Sequence, residues 1–264
     1  MKRLLITGAA GGIGTAMRSR LAHLAETLRL ADIAPIPDPA PNEEVVQCDL
    51  ADRDAVFDMV AGCDGIVHLG GVPVERSFNQ ILNANIIGLF NLFEAARAHD
   101  RPRILFASSN HAIGYYRQTE RLTAASPTKP DSLYGVSKVF GEALASMYFH
   151  KFGQETASVR IGSCETRPTD RRMLATWLSH DDFAALAERV FAVPRLGCPI
   201  IYGASANDEN WWDNGSVSYL GWRPRDSSAK WRAEIEATTP RPAPDDPVAL
   251  FQGGIFTQEP IHED

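Results

Sequence analysis

No stretch of this chain approaches the roughly 18 consecutive apolar residues that a membrane-crossing helix needs. The opening Met1-Lys2-Arg3-Leu4-Leu5-Ile6 carries the charges of a secretory leader, but Thr7-Gly8 ends its apolar run far short of a leader's hydrophobic region. A cytoplasmic protein with no membrane partner is therefore expected. Cysteine is scarce: Cys48, Cys63, Cys164 and Cys198 lie far apart with no Cys-x-x-Cys pair, which argues for reduced, buried thiols and against a zinc site. Basic charge is not in excess. The formal net charge of −7 argues against nucleic acid or an anionic membrane as the main partner. No internal repeat or low-complexity tract is visible in the 264 residues, which suffice to bury a full core as one domain with at most a small appended lobe.

The informative stretch is the first 32 residues. An apolar run, Leu4-Leu5-Ile6, leads into Thr7-Gly8-Ala9-Ala10-Gly11-Gly12-Ile13-Gly14, then a helical pattern, then a second run ending Leu30-Ala31-Asp32. Strand, glycine turn, helix and strand in that order open a dinucleotide-binding fold. Gly8 allows the sharp turn, Gly11 the approach of a pyrophosphate, and Gly14 close packing of helix on sheet. The helix N-terminus would then hold phosphates on free N–H groups without any basic side chain. Glycines also mark ordinary turns. Here the flanking elements and the acid agree, and Asp32 sits where a carboxylate accepts both ribose hydroxyls and repels a 2′-phosphate, so NAD is favoured over NADP.

Beyond a proline-rich connection at Pro35, Pro37, Pro39 and Pro41, strand and helix patterns alternate. Strands are expected at residues 44–48, 65–69, 103–107 and 157–161, and a last one at 199–203. Helices are expected at 52–61 with Asp52 as N-cap, 78–98, 133–152, 171–177, 182–191 and 228–237. The order implies an α/β fold, a doubly wound parallel sheet of Rossmann type, with a small C-terminal lobe built mainly from residues 162–264 to bind substrate. Residues 108–132 lack periodicity; a loop this long after a strand's carboxyl end is usually functional. From Thr238 onward the prolines and acids support no assignment.

Tyr134-Gly135-Val136-Ser137-Lys138 puts a phenol and an ammonium on one face of the helix that follows this loop. A free tyrosine, with a pKa near 10, is a poor base at neutral pH. A neighbouring lysine cation and an oxidised nicotinamide favour the phenolate, which can then take a hydroxyl proton as hydride leaves the same carbon. The bland alternative is a solvated helix face with a packed ring. Ser108-Ser109-Asn110-His111 leaves the fifth strand, where a serine can hydrogen-bond the reacting oxygen or merely its own backbone. Asn85, polar in an apolar helix, is either a local hydrogen-bond fixture or part of a proton relay through Lys138. His68 reads as a satisfied core histidine, and His180-Asp181-Asp182 as a helix start rather than a metal site or catalytic dyad.

The Gly-x-x-Gly-x-x-Gly spacing behind Thr7, with Asp32, Asp49-Leu50, Asn85, Ser109 and the Tyr134/Lys138 pair, resembles the extended branch of the short-chain dehydrogenase/reductase superfamily. His68-Leu69-Gly70-Gly71, Ala107-Ser108-Ser109-Asn110-His111, Arg160-Ile161-Gly162-Ser163-Cys164, Arg172-Met173-Leu174, Trp177 through Phe183, Tyr202-Gly203-Ala204-Ser205, Trp211-Trp212-Asp213-Asn214 and Phe251-Gln252-Gly253-Gly254 resemble the bacterial uronate dehydrogenases over nearly the whole length. That family oxidises C1 of D-galacturonate or D-glucuronate with NAD and releases an aldarolactone.

The resemblance implies Tyr134 as base, Lys138 on the phenolate and the nicotinamide ribose, Ser109 on the reacting hydroxyl, and Asn85 in the relay. The cofactor wall it implies comprises Gly8, Gly11, Gly12, Ile13, Gly14, Asp32, Asp49, Leu50, Leu69, Gly70, Gly71, Asn85, Tyr134, Lys138 and Ile161. Asn110, His111 and Ser163 would bond sugar hydroxyls, and Arg172 would hold the uronate carboxylate by two parallel hydrogen bonds. Pro73 departs from the family pattern, replacing a serine hydroxyl near the sugar with a ring that has neither hydroxyl nor N–H. A homo-oligomer through the helices at 78–98 and 133–152 is a further expectation by resemblance. The rival readings are another sugar-active enzyme on this scaffold, such as a sugar-nucleotide epimerase, and a non-catalytic NAD-sensing regulator.

Overall fold

In the computed structural model, which describes residues 1–264, alternation along the strands builds two cores on one sheet. The strands are β1 (Arg3–Thr7), β2 (Thr27–Asp32), β3 (Glu43–Gln47), β4 (Gly65–His68), β5 (Arg103–Ser109), β6 (Thr156–Ile161) and β7 (Ile200–Gly203). All pairs are parallel, in the order β7-β6-β5-β4-β1-β2-β3. Leu4 and Ile6 point to one face, against Met17 of α1 (Gly12–Arg20), Leu21 just after it, and Phe183, Leu186 and Val190 of α2 (His180–Ala192). Leu5, Ile66, Ile104 and Phe106 point to the other. There they meet Val56 and Val60 of α3 (Arg53–Val60), Leu92 and Phe93 from the 78–98 helix, and Leu144 and Tyr148 of α4 (Leu133–Phe152). The chain order reverses between β1 and β4, and the crevice at the carboxyl ends of those strands is the natural ligand site.

The helix expected over 78–98 forms, but in three contiguous pieces: Phe78–Ile81, a π-helical turn Leu82–Ile87, and Gly88–Ala98. Such widened turns often sit at functional sites. Here it contains Asn85, whose amide accepts from Val72 N at 2.7 Å and donates to the Val72 carbonyl at 3.0 Å. The helix expected over 171–177 shrinks to Met173–Thr176, because Trp177-Leu178 instead pairs as a strand with Ser163-Cys164. The 228–237 helix divides into a 3-10 turn, Ser228–Trp231, and an α-helix, Arg232–Thr238. The His180 segment is a helix start, capped by the Ser179 hydroxyl, which accepts from Asp182 N.

Residues 108–132 are not the irregular loop their composition suggests. They hold a 3-10 turn, Asn110–Ile113, and a short strand, Leu122–Thr123, paired in parallel with Trp212–Asp213. The C-terminal tail returns across this segment: Gln252 N donates to the Tyr116 carbonyl at 2.8 Å and Gly253 N to the Gly114 carbonyl at 2.9 Å. A third, smaller core of Ile113, Tyr116, Leu122, Tyr202 and Trp212 lies beneath.

A buried ion pair fastens the sheet to α4. Arg160 on β6 donates to both carboxylate oxygens of Glu142, at 2.9 and 2.8 Å, and to the Tyr202 hydroxyl at 3.1 Å. Tyr202 in turn donates to the Thr123 carbonyl, so the pair reaches the 108–132 segment. Removing one partner of such a pair strands the other charge without compensation. The substitution Glu142→Gln is expected to destabilise the fold by about 3–5 kcal/mol in chemical denaturation. A loss below about 1 kcal/mol would show that the pair does not hold this corner together.

Candidate active site

The β1–α1 turn is shaped by steric necessity. Gly8 has φ +68, and a Cβ there would lie 2.8 Å from Gly70 N, so β1 and the end of β4 approach as closely as backbone allows. At Gly14 a Cβ would fall 2.2 Å from the Gly8 carbonyl oxygen, which is why the helix can begin directly under the turn. Gly12 meets nothing within 4 Å. The first turn of α1 carries no acid and no side-chain cap, so its N–H groups and dipole are free for an anion. Asp32 ends β2 with one carboxylate oxygen accepting from Ala10 N at 2.9 Å and the other from Ala34 N at 3.0 Å. These residues form one wall of a cleft of about 1900 Å³, together with Ile13, Asp49, Leu50, Leu69, Gly70, Gly71 and Ile161. A dinucleotide fits this donor set and this glycine-lined cradle.

Tyr134, Lys138 and Ser109 line the same cleft. Lys138 Nζ donates to the Ala107 carbonyl at 2.8 Å and stands 5.4 Å from the Tyr134 ring centroid. Burial lowers its pKa to about 8. Burial also pushes the Tyr134 phenol up to about 12; the Ser109 hydroxyl opposes this and the Asp131 charge adds to it. The expected lowering by Lys138 therefore does not by itself prevail. Desolvation is the larger effect, and the ammonium is directed at a carbonyl.

The two adjacent serines separate cleanly. Both line the cleft, but the Ser109 hydroxyl accepts from His111 N at 3.2 Å, whereas the Ser108 hydroxyl donates to the buried Glu142 carboxylate at 2.6 Å. Asn85 does not line the cleft: besides Val72 it donates to the Ser137 hydroxyl at 3.0 Å, and no hydrogen bond joins it directly to Lys138. It acts as a clamp between α4 and the 72–77 segment that carries Pro73, itself a cleft residue. His68 is a core residue hydrogen-bonded to Thr7 at 2.7 Å, its pKa lowered to about 3 by burial and then by Lys138.

At the far end, Arg172 is ringed by neutral acceptors. Its Nε donates to the Gln252 carbonyl at 2.7 Å and one terminal nitrogen reaches Ser163 Oγ at 3.4 Å. The other donates at 2.5 Å to the Asn110 amide oxygen, in the amide orientation that also lets its nitrogen donate to the Ile161 carbonyl. Asn110 is fully buried and meets the guanidinium rather than the open cleft. No carboxylate lies within ion-pair distance of Arg172; the neighbouring Asp131 carboxylate is bonded to His111 instead. Burial pushes its pKa down. His111 Nδ1 bonds the Asp131 carboxylate at 2.8 Å, and the ring stacks on Phe256 with centroids 3.7 Å apart.

Four participants escape the sequence reading. Glu75 accepts from Leu133 N at 3.1 Å and Tyr134 N at 2.8 Å, holding the start of α4. Asp131 and Phe256 carry no local signal, and Gln252, though it stands in the Phe251-Gln252-Gly253-Gly254 run, reaches the site only through folding of a distant segment. Ser163 and His111 line the cleft with Arg172.

The NAD dependent epimerase/dehydratase family model matches residues 4–180. A uronate dehydrogenase of Agrobacterium fabrum is 64% identical over 99% of this chain and 98% of its own length. The chain belongs to this family, among its uronate dehydrogenases. One from Pseudomonas putida is 54% identical, covering 96% of this chain and 95% of its own. A crystal structure of the Agrobacterium tumefaciens uronate dehydrogenase, a tyrosine-to-alanine mutant complexed with NAD, superposes with a TM-score of 0.98 at 63% identity over 100% of both chains.

Burial holds both His68 and His111 neutral below the ordinary histidine pKa, despite the Asp131 carboxylate that favours protonation of His111. Side-chain NMR of these two rings should show no protonation between pH 8 and pH 7. A midpoint above the model-compound value of about 6.5 at either ring would contradict the burial argument.

Proposed function

We propose that the protein oxidises C1 of a hexuronic acid, D-galacturonate or D-glucuronate, to the aldarolactone with NAD. The observation that carries this reading is Arg172, a desolvated guanidinium whose hydrogen bonds all go to neutral acceptors, beside a cleft that also holds the Tyr134/Lys138 pair. A guanidinium has five donors, and three are engaged here, leaving one on each terminal nitrogen. That remainder suits a carboxylate held by two parallel bonds.

The residues divide the chemistry. Arg172 anchors the acid end of the sugar, with His111 and Ser163 beside it for ring hydroxyls. Ser109 orients the anomeric hydroxyl and Tyr134 accepts its proton. Lys138 stabilises the phenolate that must form first, and its pKa of about 8 keeps it largely protonated at neutral pH. Asp32 binds the adenosine ribose and disfavours a 2′-phosphate. NAD supplies the hydride acceptor when bound, and its positive ring adds the charge that Lys138 alone lacks to bring down the buried phenol. Asn85 holds the loop and α4 in register rather than carrying the proton itself.

The chain works as one domain, since the cofactor and substrate walls share the same sheet edge. Free Cys48, Cys63, Cys164 and Cys198 suit a reducing, cytoplasmic compartment. A homo-oligomer through α4 and the 78–98 helix fits the large apolar side chains both leave in solvent: Ile87, Phe90, Val136 and Met147.

Galacturonate should drive NADH formation, followed at 340 nm, with no reaction on nucleotide sugars. Tyr134→Phe should lower turnover by about 10²–10⁴-fold while NAD still binds in a fluorescence titration. Unchanged turnover would remove Tyr134 as the base. Arg172→Ala should raise KM for the uronate by roughly 30-fold or more, the loss of a charge-assisted pair of hydrogen bonds. Unchanged KM would remove Arg172 as the carboxylate anchor.

A further inference from the structure

Gln252 does not line the cleft, yet it is fully buried and every polar atom of its side chain is engaged. Its Nε2 donates to the Arg117 carbonyl at 3.0 Å and to the Glu120 carbonyl at 2.9 Å, while its Oε1 accepts from Trp212 Nε1 at 2.9 Å. Three separate segments are thus tied to one amide: the 108–132 segment, the Trp212 strand and the tail. Buried amides saturated in this way specify a single arrangement, because any displacement leaves several polar groups unpaired. The backbone carbonyl of the same residue is the acceptor for Arg172 Nε, at 2.7 Å.

The residues after it reinforce the placement. A Cβ on Gly253 would lie 1.9 Å from Asp131 Oδ2, and one on Gly254 would lie 2.7 Å from Arg172 Cδ. The tail backbone therefore lies directly on the carboxylate that holds His111 and on the arginine itself. An acidic partner would hold Arg172 in place but would also neutralise it and compete with an incoming carboxylate. A backbone carbonyl orients the guanidinium while leaving its charge for the ligand.

We infer that Gln252 is a positioning residue for substrate binding: its side-chain amide locks the tail so that its own carbonyl aims Arg172 at the uronate carboxylate. This rests on Arg172 being the carboxylate anchor. Gln252 touches neither substrate nor cofactor; it acts through Arg172.

The test uses the full-length protein with Gln252→Met, which keeps the side chain's length and removes all three hydrogen bonds. KM for galacturonate should rise about tenfold, equivalent to about 1.4 kcal/mol of lost binding. KM for NAD should stay within about twofold, because the cofactor wall is untouched, and turnover should fall by less than KM rises, since the tail meets Tyr134 through the Phe256 ring at a centroid distance of 6.1 Å. In an Arg172→Ala background the same substitution should change kcat/KM by less than about twofold, as expected when one residue acts through the other. A folded Gln252→Met protein with unchanged galacturonate KM, or with reduced kcat alone, would overturn the inference; reduced kcat alone is what mere loss of scaffold produces. Should Gln252→Met fail to fold by circular dichroism, Trp212→Phe decides instead, since it removes the indole donor to the amide while keeping an aromatic ring against Tyr202. A rise of about threefold in galacturonate KM supports the inference and no change overturns it. If Arg172→Ala itself leaves KM unchanged, the carboxylate anchor fails. If Arg172→Ala raises KM and Gln252→Met does not, only the role of Gln252 fails.

Discussion

The arrangement depends on holding a half-buried guanidinium at the wall of the cleft with no carboxylate in ion-pair contact. Such a charge is costly unless its N–H groups are matched, and an acidic partner would cancel the attraction the site needs. The solution in this fold is a ring of neutral acceptors drawn from three places: the turn after β5, the strand after β6 and the C-terminal tail. Residues after Thr238, with no regular pattern of their own, fold back across the 108–132 segment and supply one of those acceptors. Along that return Gly253 and Gly254 carry no side chain: the space beside them belongs to Asp131 and Arg172.

The other end of the cleft is built on the opposite principle. There the anion-binding groups are backbone N–H groups and a helix dipole, which need no counter-charge and no long side chain. Their placement follows from close approach of β1, β4 and α1, possible only because Gly8 and Gly14 have no Cβ. Between the two ends, the reversal of strand order beside β1 opens the crevice, and α4 delivers Tyr134 and Lys138 into it from the far side. Glu75 and Asn85 hold that helix start against the loop after β4, so Tyr134 is fixed by carboxylate and amide contacts outside its own helix.

Burial sets the electrostatics of the middle. The same desolvation that lowers Lys138 raises Tyr134, so the protein alone holds a neutral phenol beside a cation. Lys138, directed at the Ala107 carbonyl, does not offset that burial by itself. Ser108, Glu142, Arg160 and Tyr202 form a separate polar network behind the sheet and hold the strands rather than the substrate.

Read alone, the residues determine what depends on short spacing. The glycine turn between an apolar strand and a helix, Asp32 at the end of the next strand, and a phenol four residues from an ammonium are local patterns; each is legible because helix and strand periods convert sequence distance directly into direction. Folding decided the rest. Which of two adjacent serines bonds Glu142 follows from the register of β5, Asn85's partners follow from a π-turn that no pattern announces, and Arg172 owes its orientation to a carbonyl 80 residues away. Such contacts are set by chain segments that meet only once the sheet is closed, so their energies leave no trace in the periodicity of any one segment.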